Sequence, residues 1–363
     1  MASELFARLT DLVERGDTAG CVAAVEDASN AKDLEEDSDE ILALVVHSDL
    51  QLGDDFDRLL LAVSATGSAK TNLLSLLGGF SSSNGAHRVV RLFPAVVATL
   101  ARVPAGRSRD KLAAYALSKA VTYLRRLAER EQQQEAVMDF VCEMEAALLS
   151  PLAGLTDSKR PLVNALTHVF RLAFAPSNCN MSRDREAGSA QRALALAERY
   201  LERLRASRAD PVRLLAEATD EVIDDEDEDV LKRPSLCGVA TMLYAIYAES
   251  AAPDAVPSCY DPLYVYVESM GCMTALCEAA ADPALLRMGL LLSAALLERI
   301  PAADSIGHDV VDSERFGGFL AALVRAVTYC DEEELRRLGF ETVSGIHSRL
   351  RWVGFTMGLK VSS

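Results

Sequence analysis

Apolar side chains recur at spacings of three and four along most of this sequence, which commits the backbone to amphipathic helices and leaves little that suits a strand. Near the start Leu5, Leu9, Leu12 and Val13 share one face. Val89, Phe93, Val96, Val97 and Leu100 form a second stripe, and Leu112, Tyr115, Ala116, Tyr123, Leu124 and Leu127 a third. Leu194, Ala197, Leu201 and Leu204 repeat the spacing. Hydrophobic residues make up 50% of the chain but aromatics only 6%, a mix that favours close packing through small, unbranched side chains.

The punctuation agrees with the periodicity. Asp210-Pro211, Asp261-Pro262 and Asp282-Pro283 each place a carboxylate where the free N–H groups of a helix start need an acceptor. The proline that follows has a fixed φ and no N–H, which suits the first turn. Breaks are expected near Gly16, Gly53, Gly78 to Gly85, Gly106, Gly154 and Ser177 to Met181.

The clearest internal echo joins 282–300 to 331–350. Each begins with Asp, carries Leu four positions on and Arg five positions on, and continues as an apolar helical face. The offset of 49 residues is close to the roughly 40–47 of HEAT and armadillo arrays, whose helix pairs cannot bury their apolar sides alone and therefore stack. The expected fold is all-α, a HEAT/armadillo-like α-solenoid of stacked helix pairs. The acids Asp224 to Asp229 repel one another and have no apolar face, which predicts a solvated loop. The organisation that follows is an N-terminal helical repeat region (1–222), an acidic loop (223–234) and C-terminal HEAT-like repeats (235–363).

Charge narrows the partners. With a net charge of −17 and a pI near 4.8, the chain repels phosphate backbones and anionic lipid, so neither nucleic acid nor membrane is an expected partner. The arginines between Arg199 and Arg208 read as a solvated helix face. The amino terminus places Glu4, Arg8 and Asp11 where a signal peptide needs an apolar core. The apolar run from Ser235 to Ala248 is shorter than the ~20 residues of a membrane helix. A soluble protein of the cytoplasm, or of the nucleus, is expected. Its cysteines (Cys21, Cys142, Cys179, Cys237, Cys259, Cys272, Cys277 and Cys330) have no framework spacing and read as reduced.

Catalytic chemistry is hard to find. Asp224 and Asp225 begin a run that resembles the Mg²⁺-binding motif of isoprenoid synthases, but Glu228 stands at the fifth position and no second motif follows. The stretch 64–71, SATGSAKT, matches a phosphate loop only at Lys70 and Thr71 and reads as a helix start. GGFSSSNG (78–85) reads as a connector. Cys272 and Cys277 lack zinc spacing, and His47, His87, His168, His308 and His347 adjoin no nucleophile signature. The expectation is a protein that is not an enzyme and needs no cofactor or metal. Trp352 and Phe355 in the last helix are candidate partner anchors.

Over 258–300 the sequence resembles the glomulin family. The likeness rests on Pro262-Leu263-Tyr264, Met270-Gly271, and the helix ending Leu296-Leu297 with Arg299-Ile300. It extends more weakly over 210–223, the acidic run and 72–80. The resemblance implies a HEAT-like scaffold that regulates SCF-type cullin-RING ubiquitin ligases by gripping the RING subunit and masking its surface for the ubiquitin-conjugating enzyme. It also implies association with immunophilins. The family's RING-binding surface lies in carboxy-terminal repeats that this chain is expected to lack. The alternative reading is a general solenoid adaptor for transport or assembly.

Overall fold

A computed structural model describes residues 3–82, 85–129, 134–174, 187–218, 231–278, 283–301 and 305–350. Among them the protein is all-α: every extended regular element is a helix, and the sole β pairing is an isolated bridge between Ile306 and Leu350. The chain divides into two compact units, Met1–Ala173 with Glu221–Pro234, and Phe174–Asp220 with Ser235–Ser363.

The first unit contains α1 (Glu4–Glu14), α2 (Thr18–Glu26), α3 (Ala31–Glu36), α4 (Ser38–His47), α5 (Asp54–Ser64), α6 (Ala69–Ser82), α7 (Ala86–Arg102) and α8 (Arg107–Ala128). It continues with α9 (Gln134–Met144), a π-helical turn Glu145–Leu149, α10 (Ser150–Leu155) and α11 (Arg160–Ala173). From α4 to α7 each helix packs on its second neighbour as well as its first: α4 on α6, α5 on α7, α6 on α8 and α7 on α9. The stripes read from sequence supply the contacts. Leu5, Leu9 and Leu12 are buried on α1, and Val89, Phe93, Val96 and Leu100 on α7, with Val97 at the margin. Four aromatic rings join α6, α7, α9 and α8, with centroids 5.7 Å apart for Phe80–Phe93, 5.6 Å for Phe93–Phe140 and 5.2 Å for Phe140–Tyr123. Burying each of these side chains contributes roughly 1.5–3 kcal/mol.

Two arginines of α7 hold the ends of earlier helices. The Arg88 guanidinium donates to Val45 O (3.1 Å), Val46 O (3.2 Å) and Ser48 Oγ (3.3 Å) at the end of α4, and lies 5.0 Å from the centroid of the Phe56 ring. Arg102 donates to Ser64 O, to Thr66 O (3.0 Å) and to Gly67 O just past α5. Carbonyls at a helix end have no partner within the helix and carry negative dipole charge, so a guanidinium satisfies both needs. Burial lowers the pKa of Arg88 from its ordinary value. Asp110, in the first turn of α8, accepts from Asp157 N (3.0 Å) and Ser158 N (3.1 Å), which fixes the entry into α11.

The second unit contains α12 (Ala187–Ala206), α13 (Pro211–Leu215), α14 (Leu236–Tyr247), α15 (Pro262–Glu278), α16 (Pro283–Glu298), α17 (His308–Val311), α18 (Glu314–Tyr329) and α19 (Glu333–His347). Pro211, Pro262 and Pro283 each open a helix, as the Asp-Pro pairs predict. Asp210 Oδ1 accepts from Val212 N (3.0 Å) and Asp261 Oδ1 from Leu263 N (2.8 Å). Asp282 lies outside the described residues. The apolar run after Ser235 is α14, buried all round from Gly238 to Ile246.

Here α15 with α16, and α18 with α19, form successive helix pairs. The first members pack on each other, as do the second members. Three ion pairs cross between them: Glu268–Arg315 at 3.0 Å, Glu278–Arg325 at 3.9 Å and Arg287–Glu334 at 3.2 Å. Each joins residues 47 apart. The echoed leucines, Leu286 and Leu335, are both buried. Gly289 of α16 sits against Leu276 and Gly339 of α19 against Val327, so the second helix of each pair approaches the first through a glycine. Arg349 Nε donates to Ile300 O (3.2 Å), which ties the end of the second pair back to the end of the first.

One expected break is corrected. The connector over 78–85 is helix through Ser82, because Gly79 lies where Val46 of α4 and Leu92 of α7 leave no space for a Cβ. Its glycine serves close approach, not chain reversal. The break expected near Gly154 is found, since α10 ends at Leu155 and Thr156 caps it. Gly16, at φ +70°, and Gly53 and Gly106, each preceding a helix, do fall at breaks. The Ser177 to Met181 break and the acids Asp224 to Asp229 lie outside the described residues.

Candidate interaction surface

In the second unit, the loop before α15 and the start of that helix bring two tyrosines together beside the cap of α13. The Tyr260 and Tyr264 rings stack with centroids 5.5 Å apart and an interplanar angle of 20°. Tyr260 Oη donates to Asp210 Oδ2, the other oxygen of the carboxylate that caps α13, and Arg213 Nε lies 3.8 Å from the same oxygen. The hydrogen bond to Asp210 is the main cause that raises the Tyr260 pKa, with burial adding to it. A hydrogen bond with Tyr260 raises that of Arg213. Tyr264 is 48% exposed, and the same unit also exposes Tyr329 at 77% and Phe340 at 64%. Exposed aromatics with fixed rings bury large area at low entropy cost when a partner covers them.

The histidines stand on five different helices: His47 on α4, His87 on α7, His168 on α11, His308 on α17 and His347 on α19. His168 is buried, and its Nε2 lies 3.3 Å from Arg233 O, beside Asn164 Nδ2, which donates to Leu231 O (2.7 Å). Lys70 and Thr71 lie in the first turn of α6. Arg199, Arg205 and Arg208 point outward, while Tyr200, Leu201 and Leu204 are buried.

None of the seven described cysteines is in a disulfide. Burial, then the nearby Asp17 charge, pushes the Cys21 thiol up to about 11. Burial, then Glu278, pushes Cys277 up to about 12. Both are thiols that do not ionise at neutral pH. Among the described residues no group of three or more His, Cys, Asp or Glu is placed to hold a metal ion, and no helix is long and apolar enough to cross a membrane. Asp224, Asp225, Glu228, Cys179, Trp352 and Phe355 lie outside the described residues.

The chain matches no family model and no curated protein.

Sequence reading did not single out the tyrosine pair. The signal is there, since Tyr260 and Tyr264 straddle Asp261-Pro262, but a tyrosine four residues from another reads first as ordinary helix packing.

Proposed function

We propose that this protein is a non-enzymatic scaffold of HEAT- or armadillo-like stacked helix pairs that binds other proteins. The observation that carries the reading is the constant 47-residue spacing of the ion pairs linking α15 to α18 and α16 to α19, a spacing at the period of such arrays. Second-neighbour packing from α4 to α9 supports the same arrangement in the first unit. A stack of this kind offers a broad, rigid outer surface, and the Tyr260–Tyr264 stack with exposed Tyr329 and Phe340 supplies aromatic anchors on the second unit.

The resemblance of 258–300 to the glomulin family narrows the proposal to a soluble, cytoplasmic or nuclear scaffold associated with SCF-type cullin-RING ligases and with immunophilins, which binds the isolated RING subunit weakly or not at all and catalyses no reaction. Purification of the tagged full chain from its native cell tests it. The expected result is enrichment of cullin-RING ligase subunits. Recovery of importins or cytoskeletal proteins without any cullin would favour the general adaptor and remove the narrower reading.

A further inference from the structure

The glycines through which α16 approaches α15 and α19 approaches α18, Gly289 and Gly339, set the two helix pairs in a common register, one residue from that of the sequence echo. Leu290, which follows Gly289, is 1% exposed, and a β-carbon on Gly339 would lie 3.8 Å from its Cδ2. Leu297 is 3% exposed, and a β-carbon on Gly345 would lie 3.7 Å from its Cδ1. Helix α19 therefore covers both leucines and meets them with glycines. At the matching positions of α19 itself stand Phe340, 64% exposed, and His347, also exposed. Exposed Arg336 stands where α16 has buried Leu286.

Helical geometry puts Arg336, Phe340 and His347 on the side of α19 opposite Glu334 and Gly345, which face α16. On α18, Ala321, Val324 and Thr328 are exposed opposite Arg315 and Phe319, which face α15. The pair thus presents, away from α15 and α16, the kind of face that a further helix covers one pair earlier. An outer face of a stack that stays in water is ordinarily polar. This one is apolar and basic. Between Gly317 and Tyr329, α18 carries no acid, and the sole acid between Arg336 and His347 is Glu341, which pairs with Arg337 at 3.2 Å. The nearest other acids, Asp331 to Glu334, sit where α19 begins. On a chain of net charge −17, such a face selects its partner by charge.

We propose that the Val324–Phe340 face of α18 and α19 receives an amphipathic helix of another protein, with a small residue against Phe340 and a carboxylate against Arg336. The small residue follows from the glycines that meet Leu290 and Leu297, and the carboxylate from the basic character of the face. Residues 351–363 include Arg351 and Lys360 and no acid, so they do not complement Arg336. The proposal deepens the scaffold reading and rests on its stacked pairs, not on any association with ubiquitin ligases.

Selection of displayed peptides by the full chain tests it. The probes are helical peptides of about 18 residues, long enough to span the face, with a seam of Leu, Ala and Gly and flanks free to be Glu, Gln or Lys. The expected result is enrichment of Glu flanks, with affinity that falls about tenfold in Phe340→Ala. Arg336→Glu should shift the preference to Lys flanks. Leu74→Ala, at an exposed apolar residue of α6, should change nothing. Because Phe340 and Arg336 are exposed, these variants keep the core, and an unchanged Tm checks that they do. No enrichment, enrichment of Gln or Lys flanks, or binding indifferent to Phe340→Ala would overturn the proposal. Dimerisation of the full chain that Phe340→Ala abolishes would also overturn it, in favour of a second copy. Absence of cullin-RING subunits from the native purification leaves this selection unchanged, and a failed selection with the pairs still stacked removes this surface alone.

Discussion

Gly289 meets Leu276 so closely that a β-carbon on the glycine would lie 2.9 Å from the leucine Cβ. Because that neighbour is fixed to the backbone of α15, no rotamer change relieves the overlap, and the helices must separate. Gly289→Val is therefore expected to destabilise the protein by about 1–3 kcal/mol, as overpacked cores do. Gly317, on α18, has nothing within 4 Å of its missing Cβ, so Gly317→Ala should instead stabilise by up to about 1 kcal/mol. Denaturant titrations of both variants read the two signs.

Arg88 should resist conservative replacement. Its planar fork reaches several acceptors at the end of α4 while its face covers Phe56. A lysine ammonium cannot match that geometry. Arg88→Lys is expected to cost about 2 kcal/mol, close to the cost of Arg88→Met, because neither side chain can reach Val46 O and Ser48 Oγ together while covering Phe56. Equilibrium unfolding measures the loss, and faster amide exchange in α4 locates it.

Buried thiols make stability fall in alkali. Cys277 is raised from an ordinary 9.0 to about 12 and Cys21 to about 11, so the folded state keeps these protons after the unfolded chain has released its own. Their contribution is complete below about pH 8.5, the ordinary thiol range, and is lost as pH rises towards the folded values. The unsubstituted protein should lose stability between about pH 9 and about pH 11 more steeply than a Cys21→Ala, Cys277→Ala variant. Unfolding midpoints across that range check it. A thiol reagent at neutral pH should modify exposed Cys259 and spare Cys21, Cys272 and Cys277.

Much of this fold is legible in the sequence because its signals are local. Asp210-Pro211 and Asp261-Pro262 start helices through contacts within three residues, and the stripe from Val89 to Leu100 needs only helical geometry to reach a common face. The 282/331 echo marks α16 and α19, which do pack together. What escapes is set by tertiary contact. Gly79 looks like a breaker until Val46 and Leu92 are seen against it. Nothing near Arg88 or Arg102 in sequence reveals the helix ends they hold, and the Tyr260–Asp210 bond joins residues 50 apart.

The cross-pair ion pairs set register more than they add stability. Arg315 and Arg325 are more than half exposed, so solvent and salt screen them. A double-mutant cycle on Glu268 and Arg315 should give a coupling below about 1 kcal/mol that vanishes in high salt.

The most direct test of the stacked-pair arrangement is a cysteine cross-linking ladder. In a background without the exposed native cysteines, short bismaleimide linkers are applied to three double variants: Glu268→Cys with Arg315→Cys, Glu278→Cys with Arg325→Cys, and Arg287→Cys with Glu334→Cys. Stacking in a single register predicts efficient intramolecular linkage in all three and none in the displaced combination of Glu268→Cys with Arg325→Cys. Linkage of the displaced combination, or failure of the matched ones in a folded protein, would contradict it.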